Sequence, residues 1–283
     1  MTDPSERSPL DLFRLTGRTA LVTGGAGLLG AQFCRTMAQA GAQVVIADVN
    51  LLAGEALAGS LSFEGFPVIA VQADVTDPGS VQNMVAVALE AFGRLDILVN
   101  SAALDPKFDP RQDDNEFSHP GSGAFESFPL VAWEQALSVN LTGAFLCCQA
   151  GVRPMLEQGG GVIVNLSSIY GLAGPDQRIY QQPGQAPRYK PVYYSVTKAG
   201  ILGLTRYLAT YYAGQNIRVN ALTPGGVYNG HAEAFVQAYS ARAVLGRMAD
   251  VDEMNGALLF LASDASAYMT GANLIVDGGW LAW

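Results

Sequence analysis

Short aliphatic runs recur along the chain at Thr19–Thr23, Val44–Asp48, Val68–Gln72, Ile97–Asn100, Val162–Leu166, Ile217–Leu222 and Leu274–Val276. Most of them are separated by stretches with helical apolar spacing. The runs are nearly continuous in apolar residues, so both faces of each strand need cover, and a parallel sheet with helices on both sides provides it. The helical stretches are Ala31–Ala40, Val81–Phe92, Trp133–Met155, Tyr194–Ala213 and Asp252–Ser263, with Ser80, Asp250 and Ser263 as boundary residues. No Pro/Ser-rich linker, charge block or internal repeat divides the sequence. The expectation is a single doubly wound α/β domain over 1–283, with about seven parallel strands. Two segments, 104–127 and 172–191, break the rhythm. They are polar, rich in Pro and Gly, and longer than the usual connection of about 2 to 6 residues, so they read as loop insertions.

The 283 residues are 49% hydrophobic, enough for a sizeable core. With 25 Asp and Glu against 16 Lys and Arg, the net charge is -9, the wrong sign for a nucleic-acid or anionic-membrane binder. Phosphate must then be held locally. Cys34, Cys147 and Cys148 form neither a disulfide framework nor a zinc pattern, and no metal is expected. The first 18 residues are charged, and no apolar run is long enough to span a bilayer. A cytoplasmic protein is the expectation.

Between the first strand and the first helix stands TGGAGLLG, Thr23–Gly30, where Gly25, Gly27 and Gly30 give G-x-G-x-x-G spacing. Glycines permit a tight turn and close backbone approach, and the helix N-terminus offers unpaired N–H groups to a pyrophosphate. Gly24, Gly27, Leu28, Leu29 and Gly30 are the candidate contacts. Asp48 ends the second run, 18 residues past Gly30. A carboxylate there accepts from both ribose hydroxyls and repels a 2′-phosphate, so Asp48 with Val49 predicts NAD over NADP. The plain alternative is a glycine turn and a strand-capping Asp with no ligand.

The chain holds three lysines and eleven tyrosines, and one Tyr-x-x-x-Lys pair, Tyr194 and Lys198. Positions four apart share a helix face. The ammonium beside the phenol is expected to lower the tyrosine pKa from about 10 toward the range of a general base. Ser168 follows the fifth run, at the carboxyl edge where such sheets bind ligands, and is placed to hold a substrate oxygen. Taken alone, the pair also reads as an exposed aromatic beside a solvated lysine.

In these motifs the sequence resembles the short-chain dehydrogenase/reductase family, from Gly17 to Trp280. The matching residues are TGGAGLLG, Asp48, Asp74-Val75, Asn100-Ser101-Ala102-Ala103, Asn140, Ser168, Tyr194 with Lys198, Pro224-Gly225-Gly226-Val227 and the closing TGANLIVDGG. The resemblance implies a Rossmann fold and hydride transfer between NAD(H) and a CH–OH group. It implies Asn140 as water-relay anchor, Ser168 as substrate orienter, Tyr194 as acid/base, and Lys198 as its activator and ribose contact. It further implies that Asp74 and Val75 flank the adenine, that Asn100, Ser101 and Ala102 line the cofactor, and that Pro224, Gly225 and Val227 hold the nicotinamide. A homo-oligomer, dimer or tetramer, belongs to the same expectation. Without the family pattern, Asp74 reads as a turn cap and Asn140 as a polar helix residue. The chain departs from the family at Leu28, where a glycine is usual, and at Asn229, where a threonine is usual.

Twenty-six residues separate Ser168 from Tyr194 and 40 separate Asn100 from Asn140, both longer than the family pattern. The added segments carry Lys107, Arg111, His119, Arg178, Arg188 and Lys190, cations suited to a carboxylate or phosphate, diluted by Asp105, Asp109, Asp113, Asp114 and Asp176. The expectation is a substrate-gathering flap over 172–191, with Ser168, Tyr170, Arg178, Arg188, Lys190 and Tyr194 facing a small polar, sugar-like or anionic hydroxy substrate. Solvated loop charge is the bland reading. A likeness to reductases of bacterial surface-sugar and flagellin-glycan assembly implies a sugar or sugar phosphate. The rivals are a sugar-nucleotide epimerase or dehydratase, and a non-catalytic NAD-binding scaffold or regulator. Only 85 residues follow Lys198, too few for the separate substrate domain of an epimerase.

Overall fold

Seven strands form where the aliphatic runs stand: β1 (Thr19–Thr23), β2 (Gln43–Asp48), β3 (Val68–Gln72), β4 (Ile97–Asn100), β5 (Gly161–Leu166), β6 (Ile217–Pro224) and β7 (Asn273–Val276). They belong to a computed structural model that describes residues 8–105, 123–181, 184 and 187–283. The strands pair in parallel in the order β3-β2-β1-β4-β5-β6-β7. Chain order reverses between β1 and β4, which opens a crevice at their carboxyl ends.

The helices are α1 (Leu28–Gln39), α2 (Leu51–Phe63), α3 (Pro78–Phe92), α4 (Leu130–Leu137), α5 (Ala144–Glu157), α6 (Val192–Tyr211), α7 (Glu233–Ser240) and α8 (Asn255–Ala262). Strand pleating sorts neighbours to opposite layers. Val22, Val44 and Ile46 pack with Phe33 and Met37 of α1, Leu61 of α2 and Leu258 of α8. Leu21, Val45 and Leu98 pack with Met84 of α3, Cys147 of α5 and Leu208 of α6. Each such buried aliphatic side chain contributes about 1.5 to 3 kcal/mol, which is why both faces of the sheet are covered.

The sequence reading misses α2 and α7. Apolar residues surround α2 on all sides, LLAGEALAGSLSF, so it lacks the stripe by which helices are recognised. Two turns long, α7 is too short to carry a period. The stretch read as one helix over Trp133–Met155 is α4 and α5 joined by a π-helical turn, Ser138–Gly143, which contains Asn140. Such turns often mark functional sites. Ser80 is not the cap of α3: Asp77 caps it, accepting from Gly79 N and Ser80 N. Asp250 forms a capping box with Glu253 ahead of α8, and Ser263 ends that helix.

The 172–191 insertion is less free than expected. Its described part holds a 3-10 turn, Gln177–Tyr180, whose Ile179 and Tyr180 are buried. A third cluster, Tyr170, Tyr180, Tyr239, Met248 and Trp280 among others, covers the carboxyl edge beside β5 and β6. Most of 104–127, including Lys107, Asp109, Arg111, Asp113, Asp114 and His119, lies outside the described residues.

Arg218 fixes the far end of β6 against α8. Its guanidinium donates to Leu261 O at 3.2 Å, Ser263 O at 2.9 Å, Ser266 Oγ at 2.9 Å and Met269 O at 3.3 Å. These include carbonyls at a helix C-terminus, where a cation is favoured. Arg218→Met removes these four hydrogen bonds, while Met269 O keeps Asn220 Nδ2 and Leu261 O and Ser263 O keep Ser266, and it is expected to cost about 1 to 3 kcal/mol of stability in denaturant unfolding.

Candidate active site

A cavity of about 1650 Å³ runs along the carboxyl ends of the central strands. Gly27 caps α1 in extended conformation and no side chain caps the helix, so its first N–H groups face the cavity mouth with Leu28, Leu29 and Gly30. Gly24 has φ +61°, and a Cβ on it would lie 2.7 Å from Ala102 Cα. A Cβ on Gly30 would fall far inside contact distance of Gly24 O. Gly25 does not line the cavity: it is buried beneath the loop, its N–H donating to Ala47 O at 3.1 Å.

Asp48 and Val49 stand at the end of β2 on the cavity wall. The carboxylate accepts from Ala26 N at 3.0 Å and Asn50 N at 2.9 Å, one to each oxygen. Each oxygen keeps a second lone pair for a further donor. Asp74 and Val75 line the next stretch; Asp74 is also a turn cap, accepting from Thr76 N at 2.8 Å and Thr76 Oγ1 at 2.7 Å, so its two readings coexist. Ser101 and Ala102 line the cavity, their N–H groups donating to Thr23 Oγ1 at 3.2 and 3.3 Å. Asn100 corrects the expectation. Its side chain turns into the packed layer, donating to Asn165 Oδ1 at 2.8 Å and Cys148 Sγ at 3.1 Å, and does not line the cavity.

Pro224, Gly225 and Val227 form the opposite wall. Gly226 N donates to the Tyr239 hydroxyl, and Val227 bridges to Ala249. Open helix-end amides, a backbone cradle with no room for side chains, and a carboxylate at the β2 end together fit a dinucleotide. Among the described residues no cluster of three His, Cys, Asp or Glu could hold a metal.

Ser168, Tyr170, Tyr194 and Lys198 share the other half of the cavity. Ser168 heads a 3-10 turn, Ile169–Gly171, its Oγ accepting from Tyr170 N at 3.2 Å, and it lines the cavity with Tyr194. Ser167 Oγ donates to Lys198 O at 2.8 Å, tying this turn to α6. Lys198 Nζ donates to Leu166 O at 2.9 Å and lies 5.7 Å from the Tyr194 ring centroid. Burial pushes its pKa down to about 8, against the pull of Asp105.

The tyrosine contradicts the expected direction. Burial first, then the Asp105 carboxylate, push the Tyr194 pKa well above its ordinary value, while the Ser168 hydrogen bond pulls it down. Lys198 directs one N–H of its ammonium to a backbone carbonyl and is itself less basic. Asn140 is 2% exposed, and its amide holds Leu104 on both sides: Oδ1 accepts from Leu104 N at 2.6 Å, and Nδ2 donates to Leu104 O at 3.0 Å.

The cations divide. Arg188 and Lys190 line the cavity. Arg178 does not: its side chain is 85% exposed and its guanidinium grips Asp176 at 2.8 Å through two nitrogens. Asp105, Tyr180, His231, Phe235, Tyr239 and Met248 also line the cavity and were not picked out as site residues. Nothing local in the sequence marks them, since they come from loops, a 3-10 turn and α7, whose approach to the site is set by tertiary packing.

The residues 25–281 match a family model described as enoyl-(acyl carrier protein) reductase. The chain is 36% identical to D-threitol dehydrogenase of Mycolicibacterium smegmatis over 285 residues, covering 99% of each. It is 37% identical to cis-4-hydroxycyclohexanecarboxylate dehydrogenase of Sinomonas cyclohexanicum over 270 residues, covering 94% of this chain and 97% of that one. Among solved structures, a gluconate 5-dehydrogenase from Burkholderia cenocepacia in complex with NADP and tartrate superposes with a TM-score of 0.82 at 31% identity, covering 98% of this chain and 100% of that chain.

Gly30→Ala is expected to force the loop away from Gly24 O and to weaken nicotinamide-dinucleotide binding at least about tenfold in calorimetric titration, with the sheet still folded.

Proposed function

The chain belongs to the short-chain dehydrogenase/reductase family and moves hydride between a nicotinamide cofactor and a CH–OH group, and we propose that its cofactor is NAD and that its substrate is a small polar or anionic secondary alcohol. The observation that carries the reading is one cavity holding the α1 cradle, Asp48, Ser168, Tyr194 and Lys198. When bound, the nicotinamide supplies the hydride acceptor, or the donor in the reverse direction. In alcohol oxidation, Tyr194 Oη takes the hydroxyl proton while Ser168 Oγ holds the substrate oxygen. Lys198 favours the phenolate form of Tyr194 that accepts this proton and becomes neutral as the hydride leaves the alcohol carbon, and it would hold the ribose. Asn140 sustains the site by fixing Leu104, and Asp48 holds the adenosine ribose.

Because Tyr194 starts with a raised pKa, oxidation should accelerate with rising pH until the phenol ionises in the loaded enzyme. Neighbours named for D-threitol, cis-4-hydroxycyclohexanecarboxylate and gluconate point to polyols and hydroxy acids. Arg188, lining the cavity with Tyr170 and Tyr180, suits a carboxylate on a short carbon frame, whereas Lys190 is already ion-paired with Asp105. The open cavity and these relatives, all named as dehydrogenases, favour turnover over the epimerase and scaffold readings. Three buried free cysteines suit a reducing cytoplasm, and no helix among the described residues is long and apolar enough to cross a membrane. Exposed Tyr207 and Tyr211, stacked on α6, suit burial in a homo-oligomer such as a homotetramer.

Tyr194→Phe should lower turnover about 10² to 10⁴-fold on a polyol and hydroxy-acid panel while NAD binding persists; normal turnover would place the acid/base elsewhere. Asp48→Ala should relax the preference for NAD, and equal kcat/KM for NAD and NADP in the unaltered enzyme would contradict the assignment. Arg188→Met should raise KM for an anionic alcohol roughly 10 to 150-fold. Arg178→Met should leave it unchanged, since that side chain faces away.

A further inference from the structure

We propose that Lys190 is a second positioning cation for the Tyr194 phenol, and that Asp105, by pairing with it, sets how much of that charge the phenol feels. The inference rests on Tyr194 being the proton-transferring group.

Lys190 lies four residues before Tyr194, as Lys198 lies four after, but it stands in the loop ahead of α6. Its Nζ is 4.1 Å from the ring centroid, closer than Lys198 Nζ at 5.7 Å. The side chain is buried and ion-paired with Asp105, whose side chain is 56% exposed. An ammonium over an aromatic face is attracted to the ring, the more so when desolvated. Neither partner is loosely held. Gln177 grips the Lys190 backbone on both sides: Oε1 accepts from Lys190 N at 2.8 Å and Nε2 donates to Lys190 O at 3.1 Å. Asn140 grips Leu104, the neighbour of Asp105, in the same two-handed way. The far end of the other insertion closes on the same place: Gly123 has φ +72°, and a Cβ there would lie 2.6 Å from Tyr189 O. The ion pair thus sits where the two insertions meet, on the face of the phenol.

Tyr194 is faced by Lys198 and Tyr193 from α6, by Ser168 and Tyr170 from the turn after β5, by Tyr180 from its 3-10 turn, by Asp105 from the loop after β4, and by Lys190. His231, before α7, lines the same cavity, and burial keeps it toward the neutral form. A carboxylate near the phenol opposes its ionisation and an ammonium favours it. Removing Asp105 alone leaves Lys190 uncompensated. Removing Lys190 alone leaves Asp105 uncompensated. The two changes must therefore act in opposite directions and cancel when combined, which a role in packing alone would not produce.

The test is an NMR titration of the NAD-saturated protein labelled at the tyrosine ζ-carbons, with the Tyr194 signal assigned by its loss in Tyr194→Phe. Asp105→Asn should move the ionisation midpoint down by about one pH unit, and Lys190→Met should move it up by a similar amount. The double variant should return to within a few tenths of a pH unit of the unaltered protein by cancellation, and Lys190→Arg should stay near it. Thermal unfolding checks each variant, and Lys190→Gln carries the expectation if the methionine variant does not fold. Midpoints that stay put, or move in the same direction for both single variants, overturn the proposal. Full turnover in Tyr194→Phe would instead overturn the assignment of the proton-transferring group. Lost turnover in that variant with unmoved midpoints would overturn this inference alone.

Discussion

Backbone touching backbone at the reversal of strand order is the constraint from which the site follows. Gly24 must reach a positive φ and pass Ala102 without a side chain, and Gly30 must start α1 against Gly24 O. Only then do the first amides of α1 open onto the cavity, next to a carboxylate that is itself held by Ala26 N. A larger residue at Gly24 would push the β1 loop off the β4 loop, and one at Gly30 would push the start of α1 off the β1 loop. Leu28, where the family has glycine, is admissible because it lies on the outer side of the turn, 45% exposed.

How much of this was legible in the sequence depended on whether the cause was local. Strands that need cover on both faces announce themselves as apolar runs, and every run stands within two residues of a strand boundary. The phosphate loop and the Tyr-x-x-x-Lys pair are likewise local, carried by spacing along one turn or one helix. The α2 helix, apolar all round, has no spacing to detect. Asn100 follows the family motif yet serves the core, because its partner Asn165 lies 65 residues away on β5. Arg178 was read as a substrate cation, but Asp176, two residues earlier, holds its guanidinium through two nitrogens at the surface.

The sign of the Tyr194 shift is the sharpest case. A lysine one helical turn away suggests a lowered pKa, and that reasoning omits three long-range facts. The phenol is desolvated by the aromatic cluster of Tyr170, Tyr180 and Trp280. Lys198 is engaged by Leu166 O, 32 residues earlier in the chain. Asp105 arrives from β4. Each is decided by which loops meet at the carboxyl edge, and none leaves a trace in local spacing.

A site built this way separates its two tasks. The cofactor half is made of backbone and two carboxylates on sheet-anchored turns, so its geometry is fixed by strand register and needs no flexible side chain. The other half is lined by side chains from the turn after β5, the described part of 172–191, α6 and α7, with Asp105 from the loop after β4. Tyr194 and Lys198 stand on α6 between the halves, and Lys198 is bonded to the end of β5 and its turn through Leu166 O and Ser167. Changes in the insertions therefore act on the Tyr194 side of the cavity without disturbing the strand register that places Asp48 and Asp74.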